Sequence, residues 1–377
     1  MNVVLVSHDA GGTIPPMLAL AEEFVARGHR VVWLSQPSVR QRALTAGCEF
    51  VAIEGVEDYE RGIAIEDQLE VAGALIAGHE VGEQLLDLVA RSRADLVVID
   101  ANLAGVLAAA ETIDAPSAVL LHSLHATFVE TWFAHVWPLL APFVNETRAH
   151  FGLDPRDSWA ALFAGHRRLL SAAPRDFDGS AVEERVANLR HCGFLVPNVQ
   201  PGPNPFRPED TSRVLVGLST TYQQQERLLQ LILDALGSLD VHALASTSGQ
   251  VDVESLRLPA TVELHDFIDH GAVLPYVDVV VTHAGLGTIA AALTRGVPVV
   301  CAPIARDQHL NAARVAALGA GIDLGAQPTA DDIAEAISTV LGDTSYRQTA
   351  ARVGDVTGGA SAVIDDLESL VQGTSGG

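Results

Sequence analysis

The chain has 377 residues, enough for two domains of ordinary size with separate cores. Its net charge of −24 argues against nucleic acid or an anionic membrane as a partner. All 23 basic residues are arginine, so a Walker-type P-loop, a Schiff-base lysine and a lysine general base are excluded. Any phosphate must therefore be held by backbone N–H groups, His, Ser, Thr or Arg.

The chain carries no predicted membrane or secretion signal. Hydrophobic residues make up 48% of it, but no apolar run is long enough to span a bilayer. The start, MNVVLVSHDAGG, enters a strand pattern without a charged segment or cleavage site, so no signal peptide is expected. Cys48, Cys192 and Cys301 are few and scattered, which predicts buried free thiols in a reducing cytoplasm.

Short apolar runs alternate with helical patterns in the first half, which predicts a parallel α/β sheet covered on both faces. The predicted elements are strand 3–7, helix 16–27 and strands 30–34, 95–100 and 118–121. Residues 126–190 interrupt this alternation and indicate helices with little strand pattern. They contain Trp132, Trp137 and Trp159, which either pack internally or form a wall of an apolar pocket.

A proline-rich segment divides the chain near its middle. Five prolines lie within 197–208, a density that no sheet or helix interior accepts. The alternation then restarts, with strands predicted at 214–218, 241–245, 262–267, 277–283 and 298–304, and helices at 224–236, 330–341 and 360–371. We therefore predict an N-terminal domain at 1–196, a linker at 197–212, a C-terminal domain at 213–358, and a C-terminal helix and tail at 359–377.

The segment 279–311 predicts a phosphate site in the second domain. Its predicted order is strand 279–282, a turn with Gly285 and Gly287, a helix opening at 290–293, and strand 298–304. A helix start behind a glycine turn offers N–H groups and partial positive charge, and His283 lies at the same strand end. Asp307 and Gln308 follow the next strand, where an acid and an amide can bind several hydroxyls. Together these features indicate a nucleotide sugar.

The same glycines also fit the dinucleotide fingerprint G-x-G-x-x-G/A, with Asp307 about twenty residues further on. This alternative predicts a nicotinamide-dependent oxidoreductase. Three features weigh against it: several strands precede the motif, only about ninety residues follow it, and the acid is paired with Gln308 just before a helix.

At these residues the sequence resembles a known family. The stretch THAGLGT, followed by AALTRGVPVVCAPIARDQHLNAARVAALGAG, resembles the donor-binding signature of the GT-B glycosyltransferases of family 1, especially their bacterial natural-product branch. The similarity extends over GHRVVWLS, DLVVIDANLAGVLAA and the proline linker. It implies an α/β GT-B fold of two Rossmann-like domains facing across a cleft, with the C-terminal helix packing back on the N-terminal domain.

The resemblance also implies roles for donor-site residues. His283 and the backbone at Gly285, Gly287 and Thr288 would bind the diphosphate. Asp307 and Gln308 would bind hydroxyls of the transferred sugar. Phe267 would stack on the nucleobase, the Ile268 backbone would contact its edge, and Ser219 and Thr220 would face the phosphates. The glutamate that many relatives use for the ribose is replaced by Ala291, which permits a deoxyribose donor such as a dTDP-sugar.

The general base is where the sequence departs from the family. Aligned on Pro16, Thr13 occupies the position where relatives place a His or Asp, and a threonine hydroxyl is no base unaided. His8 and Asp9 begin the same loop and are the substitutes, while Asp100 ends a strand from which relatives orient their histidine. A base-poor or substrate-assisted mechanism is the alternative.

The acceptor side is assigned more coarsely. His122 and His125 follow a strand end in the first domain, and Trp132 and Trp137 suit an aglycone pocket. The predicted activity is an inverting, metal-independent transfer from a dTDP- or UDP-sugar to a small natural product, with no metal and no cofactor beyond the sugar nucleotide. A homodimer is also predicted. A catalytically silent nucleotide-binding partner of a true transferase is a further alternative, prompted by Thr13.

Overall fold

The structure is a computed structural model that describes residues 1–55, 73, 75–125, 133–179, 186–208, 212–219, 225–247, 249, 251, 253–355 and 358–374. Two compact units make up the chain. Unit 1 contains Met1–Pro197 and Gly358–Gly377, and unit 2 contains Asn198–Thr357. No helix among the described residues is long and apolar enough to cross a membrane.

Unit 1 contains a parallel sheet whose described strands are ordered β3-β2-β1-β4-β5-β6-β7. The strands are β1 Asn2–Val6, β2 Arg30–Ser35, β3 Glu49–Ala52, β4 Leu96–Asp100, β5 Ser117–Leu121, β6 Arg168–Ser171 and β7 Leu189–His191. The strand order reverses between β1 and β4. In open α/β sheets this reversal opens a crevice at the carboxyl ends of the strands, where ligands bind.

Helices cover both faces of this sheet and bury two apolar cores. They are α1 Ile14–Ala26, α2 Arg40–Thr45, α3 Glu80–Ser92, α4 Ala104–Ala110, α5 Phe133–His150, α6 Trp159–Phe163 and α7 Arg175–Asp178. The strands β1, β4 and β5 are almost wholly buried, as a doubly covered parallel sheet requires.

The described part of 126–190 is mainly helical, as predicted, but it also contains β6 and the start of β7. Both strands are short, at four and three residues, and the residues of β7 are buried, exposed and intermediate in turn. Such short strands leave no periodic signal long enough to distinguish them from a helical pattern. The helices α5, α6 and α7 in the same segment agree with the prediction.

Unit 2 contains a second parallel sheet, with described strands in the order β10-β9-β8-β11-β12-β13. The strands are β8 Arg213–Gly217, β9 His242–Ser246, β10 Val262–His265, β11 Val279–Thr282, β12 Val299–Cys301 and β13 Gly321–Asp323. The order reverses between β8 and β11, so this unit has its own crevice at the ends of those strands.

The helices of unit 2 are α8 Glu226–Gly237, α9 His270–Val273, α10 Leu286–Leu293, α11 Gln308–Leu318, α12 Ala330–Gly342 and α13 Thr344–Gly354. Helix α10 begins at Leu286, whereas the sequence predicted an opening at residue 290. Gly285 is its N-cap residue, with extended backbone, and Gly287 lies inside the first turn. The helix therefore begins directly after Gly285.

The C-terminal helix α14, Gly359–Thr374, returns to unit 1, as the resemblance implied. Ile364 and Leu367 are fully buried in the core that also contains α1. Arg27 near the end of α1 forms ion pairs with Asp365 and Glu368 at 2.6 and 3.3 Å. The helix is thus fixed by an apolar stripe with charged pairs beside it.

Candidate donor and catalytic sites

The carboxyl edge of the unit 2 sheet collects most of the predicted donor residues. His283, Ala284 and Gly285 connect β11 to α10, and residues 302–307 connect β12 to α11. Ser219 lies just beyond β8, beside β11 in the sheet, and Phe267 lies in the loop after β10. Strand order, rather than sequence distance, brings these segments to one edge of this unit.

The two glycines of the α10 turn serve different purposes. A Cβ at Gly285 would lie 2.8 Å from Nε2 of His283, so glycine lets the imidazole fold over the helix start. A Cβ at Gly287 would meet nothing within 4 Å, which leaves open space above the first turn. The N–H of Thr288 already bonds to the carbonyl of Gly285 at 3.1 Å. The N–H groups of the residues before Thr288 are therefore better placed for a ligand.

The surroundings of His283 favour its neutral form. Burial lowers its pKa to about 4, although the backbone carbonyl of Gly217 accepts a hydrogen bond from the ring and opposes the shift. A neutral imidazole has one N–H donor, and the Gly217 carbonyl takes it. Direct contact of His283 with a phosphate oxygen would thus require protonation of the ring, which a bound diphosphate would favour.

Two residues with left-handed backbone flank this edge. Ala284 has φ 67° and Arg306 has φ 60°, a region that costs side chains other than glycine about 1–2 kcal/mol. Such strain persists only where the surrounding structure holds it, and it gathers at functional sites. The amide of Asn311 binds both loops: its Nδ2 donates to the carbonyl of Ala284 at 3.0 Å and to Asp307 at 3.2 Å.

The predicted acid and amide have different environments. Asp307 is partly exposed and is the N-cap residue of α11. Gln308 is buried, and its Oε1 accepts the N–H groups of Ile304 and Ala305 at 2.8 and 3.0 Å. The side-chain carbonyl of Gln308 therefore holds its own loop.

Phe267 is 71% exposed, the largest exposed fraction among the exposed large hydrophobic side chains of the described residues. Core packing therefore does not explain it, whereas an exposed ring in a loop at the strand ends suits stacking on a nucleobase. Ile268 is partly exposed. Ser219 is buried, and Gln225 clamps its backbone N–H and carbonyl at 3.1 and 3.0 Å. Thr220 lies outside the described residues.

Three of the predicted residues lie close together in unit 1, near the point where the strand order reverses between β1 and β4. His8 follows β1, Asp100 ends β4 and His122 follows β5. The Nδ1 of His8 lies 3.5 Å from one carboxylate oxygen of Asp100, and the Nδ1 of His122 lies 3.8 Å from the other. Burial raises the pKa of Asp100, but the two histidines and an N–H from Asn102 outweigh burial and hold this pKa below its usual range.

The Nδ1 of His8 lies beside this carboxylate but beyond an ordinary hydrogen bond in the described structure. A carboxylate at Nδ1 favours the tautomer with the proton on that atom, which leaves Nε2 to accept a proton from a substrate. Asp100 is 2% exposed, so its charge acts on the imidazoles with little screening by water.

Thr13 and Asp9 organise the loop that carries His8. The hydroxyl of Thr13 donates to the carbonyl of His8 at 2.5 Å and accepts the N–H of Ala10 at 3.3 Å. Asp9 accepts the N–H of Gly11 at 3.2 Å. The Thr13 hydroxyl is buried and engaged with backbone, which explains how a threonine can occupy this position without acting as a base.

The predicted acceptor residues are mostly internal. Trp137 is 8% exposed and packs edge-on against Trp159, with ring centroids 5.6 Å apart. This packing supports the internal alternative for Trp137 and Trp159. His125 is also buried, and its backbone N–H donates to Asp178 at 3.1 Å. His122 is the more accessible of the two histidines, and Trp132 lies outside the described residues.

Three residues at this edge were not predicted as site residues from the sequence: Arg306, Asn311 and Gln225. Arg306 precedes Asp307 directly, and the absence of lysine had already made arginine a phosphate ligand to consider. Asn311 is four residues after Asp307, which places both on one face of α11. Gln225 had no signal, because its role depends on the loop that it clamps.

Known proteins resemble this chain over its full length. Residues 230–361 match the family model for the erythromycin biosynthesis protein CIII-like C-terminal domain. The chain is 27% identical to the 4'-demethylrebeccamycin synthase of Lentzea aerocolonigenes over 99% of both chains. It is 28% identical to the demethyllactenocin mycarosyltransferase of Streptomyces fradiae, covering 96% of this chain and 85% of that one.

Solved structures show the same architecture. The kitacinnamycin glycotransferase superposes with a TM-score of 0.80 and 25% identity, covering 98% of both chains. The spinosyn rhamnosyltransferase SpnG, solved with thymidine diphosphate, has the same fold, with a TM-score of 0.73, 19% identity, and coverage of 98% of this chain and 100% of that one. The chain is therefore a glycosyltransferase of the GT-B fold, with a region at 230–361 that is similar to the erythromycin biosynthesis protein CIII-like C-terminal domain.

Proposed function

We propose that this glycosyltransferase moves a sugar from a nucleoside diphosphate sugar to a hydroxyl of a small natural product, with inversion at the anomeric carbon. The donor half of the proposal rests on the edge of unit 2, where Asn311 joins the strained Ala284, before α10, to Asp307, which follows the strained Arg306. The names of the full-length relatives, a mycarosyltransferase among them, support the substrate class.

The proposed donor site stabilises negative charge without a metal in the reaction. Neutral His283 supplies no positive charge before the ligand binds, so the first attraction comes from the N-terminus of α10 and from the exposed Arg306. Asp307 and Gln308 bind the sugar hydroxyls, and Phe267 stacks on the base. We propose dTDP-sugars first and UDP-sugars second, because Ala291 offers no carboxylate for a 2′-hydroxyl.

The proposed chemistry is a single displacement. The acceptor oxygen forms a bond to the anomeric carbon while the bond from that carbon to the diphosphate oxygen breaks, and the electron pair leaves with the nucleoside diphosphate. His8 Nε2 takes the acceptor proton, and Asp100 stabilises the imidazolium that results. One displacement without a covalent intermediate inverts the configuration. We infer no further cofactor, and the buried free thiols support the cytoplasm as the compartment.

The test is turnover by the purified single chain. A thermal-shift panel of dTDP, UDP and GDP selects the nucleotide, and mass spectrometry then follows transfer from the matching sugar donors to a set of small hydroxylated acceptors. We expect protection by dTDP above UDP and an acceptor heavier by one sugar. Nucleotide protection without transfer to any acceptor would favour the silent-partner alternative, and hydride transfer from a nicotinamide would overturn the proposal.

A further inference from the structure

Three side chains of types that can bind a metal lie close together in unit 1. The helices beside them, α3 and α5, carry none of the proposed catalytic groups. His79 precedes α3, Glu83 lies in its first turn, and His150 ends α5. One ligand atom from each of the three lies within 4.8 Å of the other two. Nε2 of His150 is 2.9 Å from Oε1 of Glu83, and the two imidazole rings stack with centroids 4.1 Å apart.

We propose that His79, Glu83 and His150 form a binding site for a divalent cation of the zinc type. Two imidazoles and one carboxylate are ligands that Zn²⁺ prefers, at metal–ligand distances of about 2.0–2.2 Å. Ligand atoms around a tetrahedral zinc lie about 3.3 Å apart. The three ligand atoms lie within 4.8 Å of one another, so each pair is no more than about 1.5 Å wider than that spacing. A carboxylate also supplies negative charge, which distinguishes this cluster from a simple pair of stacked histidines.

The backbone that carries these ligands is fixed by packing. The Thr147 hydroxyl, one turn before His150, donates to the carbonyl of Ala77 at 2.6 Å and so ties α5 to the segment before α3. The Glu83 N–H bonds to the carbonyl of His79 at 2.9 Å, and Phe151 packs edge-on against His150 with ring centroids 5.0 Å apart. A cation would therefore bind a largely preformed site and would join two helices.

The site is open on one side. The side chains of His150 and Glu83 are 41% and 55% exposed, so water can complete the coordination shell and the cation can enter without unfolding. We assign the cation a stabilising role for the junction of α3 and α5.

A second His–Glu–His group provides a control. In unit 2, His242 and His265 contact opposite oxygens of Glu263, at 3.1 and 3.9 Å. These three side chains have the same types as the proposed ligands, but they do not form a converging group of ligand atoms like that of His79, Glu83 and His150. Changing His265 therefore removes an imidazole beside a carboxylate without touching the proposed site.

The experiment uses the full chain without a polyhistidine tag, stripped with EDTA and titrated with Zn²⁺ by calorimetry and thermal shift. We expect one Zn²⁺ per chain and a saturable rise in Tm that EDTA reverses. His79→Gln and His150→Gln retain a hydrogen-bonding amide but should weaken Zn²⁺ binding by more than about tenfold. His265→Gln should bind Zn²⁺ as the wild type does.

Substitution with Co²⁺ gives a second measurement that a loss of folding cannot imitate. We expect visible absorption of a four- or five-coordinate ion in the wild type and its loss in His150→Gln, at unchanged circular dichroism. Absence of saturable Zn²⁺ binding by the wild type would overturn the proposal, as would equal affinity in His79→Gln and His150→Gln. Neither result bears on the proposed sugar transfer, which is measured separately.

Discussion

Arg306 combines backbone strain with a charge at the proposed phosphate site. Its φ of 60° lies where glycine is the unstrained residue, yet the chain places an arginine there. In a protein without lysine, this guanidinium is the cation beside His283 and Asp307, and its field acts on the His283 ring. The strain at Arg306 is thus explained if the side chain serves the ligand.

Arg306→Gly should raise thermal stability and weaken nucleotide binding together. Glycine removes the left-handed penalty, about 1 kcal/mol, because it has no Cβ. Loss of the guanidinium should weaken dTDP or UDP binding by about tenfold or more, because a charge-assisted contact is lost. Thermal shift without ligand and calorimetry with each nucleotide measure the two effects.

Arg93→Gly is the matched control for Arg306→Gly. Arg93 has φ 51° at the C-cap of α3, in unit 1, so glycine should stabilise the chain there with no change in nucleotide affinity. Unchanged affinity in Arg306→Gly would contradict the proposed role of its side chain. Unchanged stability in both variants would contradict the strain argument.

His8→Ala should reduce turnover about 10²–10⁴-fold and leave nucleotide affinity unchanged, because a general base acts on the acceptor oxygen alone. Steady-state rates and nucleotide calorimetry separate the two quantities. His122→Ala, which removes the imidazole on the other oxygen of Asp100, should affect the acceptor KM more than kcat. Wild-type turnover by His8→Ala would show that another group, or the substrate itself, is the base.

At the scale of elements, glutamines near the starts of two helices hold the loops that precede them. Gln225, just before α8, clamps Ser219 in the loop after β8, and Gln308, which opens α11, clamps Ile304 and Ala305 in the loop after β12. A side-chain amide can accept from a backbone N–H and donate to a backbone carbonyl. It can therefore order a loop whose backbone groups have no hydrogen-bond partners in a helix or sheet. Both loops lie at the proposed donor edge.

Gln308→Ala should lower the free energy of unfolding by about 1–3 kcal/mol without any ligand, because two N–H groups lose a buried acceptor. Gln308→Glu keeps both acceptor contacts and loses only the amide donor. Chemical unfolding and the KM for the sugar donor measure these variants. A Glu variant with normal stability and raised KM would support sugar binding by the amide nitrogen. Normal KM in both variants would contradict it.

The strands that line both crevices were predicted from the sequence within about three residues of their observed bounds, because continuous buried runs leave a strong signal. Strands β3, β6, β7 and β13 were missed, because three or four residues with mixed burial carry little pattern. The residues of the His79, Glu83 and His150 cluster were missed for a different reason: two helices must first pack together.

At the scale of the whole molecule, each unit buries a histidine that stays neutral. Burial lowers the pKa of His166 in unit 1 and of His283 in unit 2 to about 4 from 6.5. The unfolded chain takes up protons between these pH values that the folded chain does not. The contribution of each histidine to stability is therefore complete above about pH 6.5 and is lost as the pH falls towards 4.

Between about pH 7 and pH 4, the free energy of unfolding should fall by up to about 3 kcal/mol per buried histidine. Urea unfolding at both pH values measures it. Because the net charge is −24, acidification also reduces the repulsion between carboxylates, which changes stability in its own right. The fall in unfolding free energy is therefore compared between the wild type and a variant. His166→Gln removes one titrating ring and should show a smaller fall than the wild type. An equal fall would contradict the argument.

The sequence by itself determined the two parallel sheets, the phosphate-type turn at Gly285 and Gly287, and the need for arginine or backbone at the phosphate. These features depend on local periodicity and residue type, which a chain shows without folding. Only the tertiary structure decided that Asp100 faces both His8 and His122, that Thr13 is engaged with backbone, and that Ala284 and Arg306 are strained. Those facts depend on strand order and on contacts between distant residues, which no local pattern encodes.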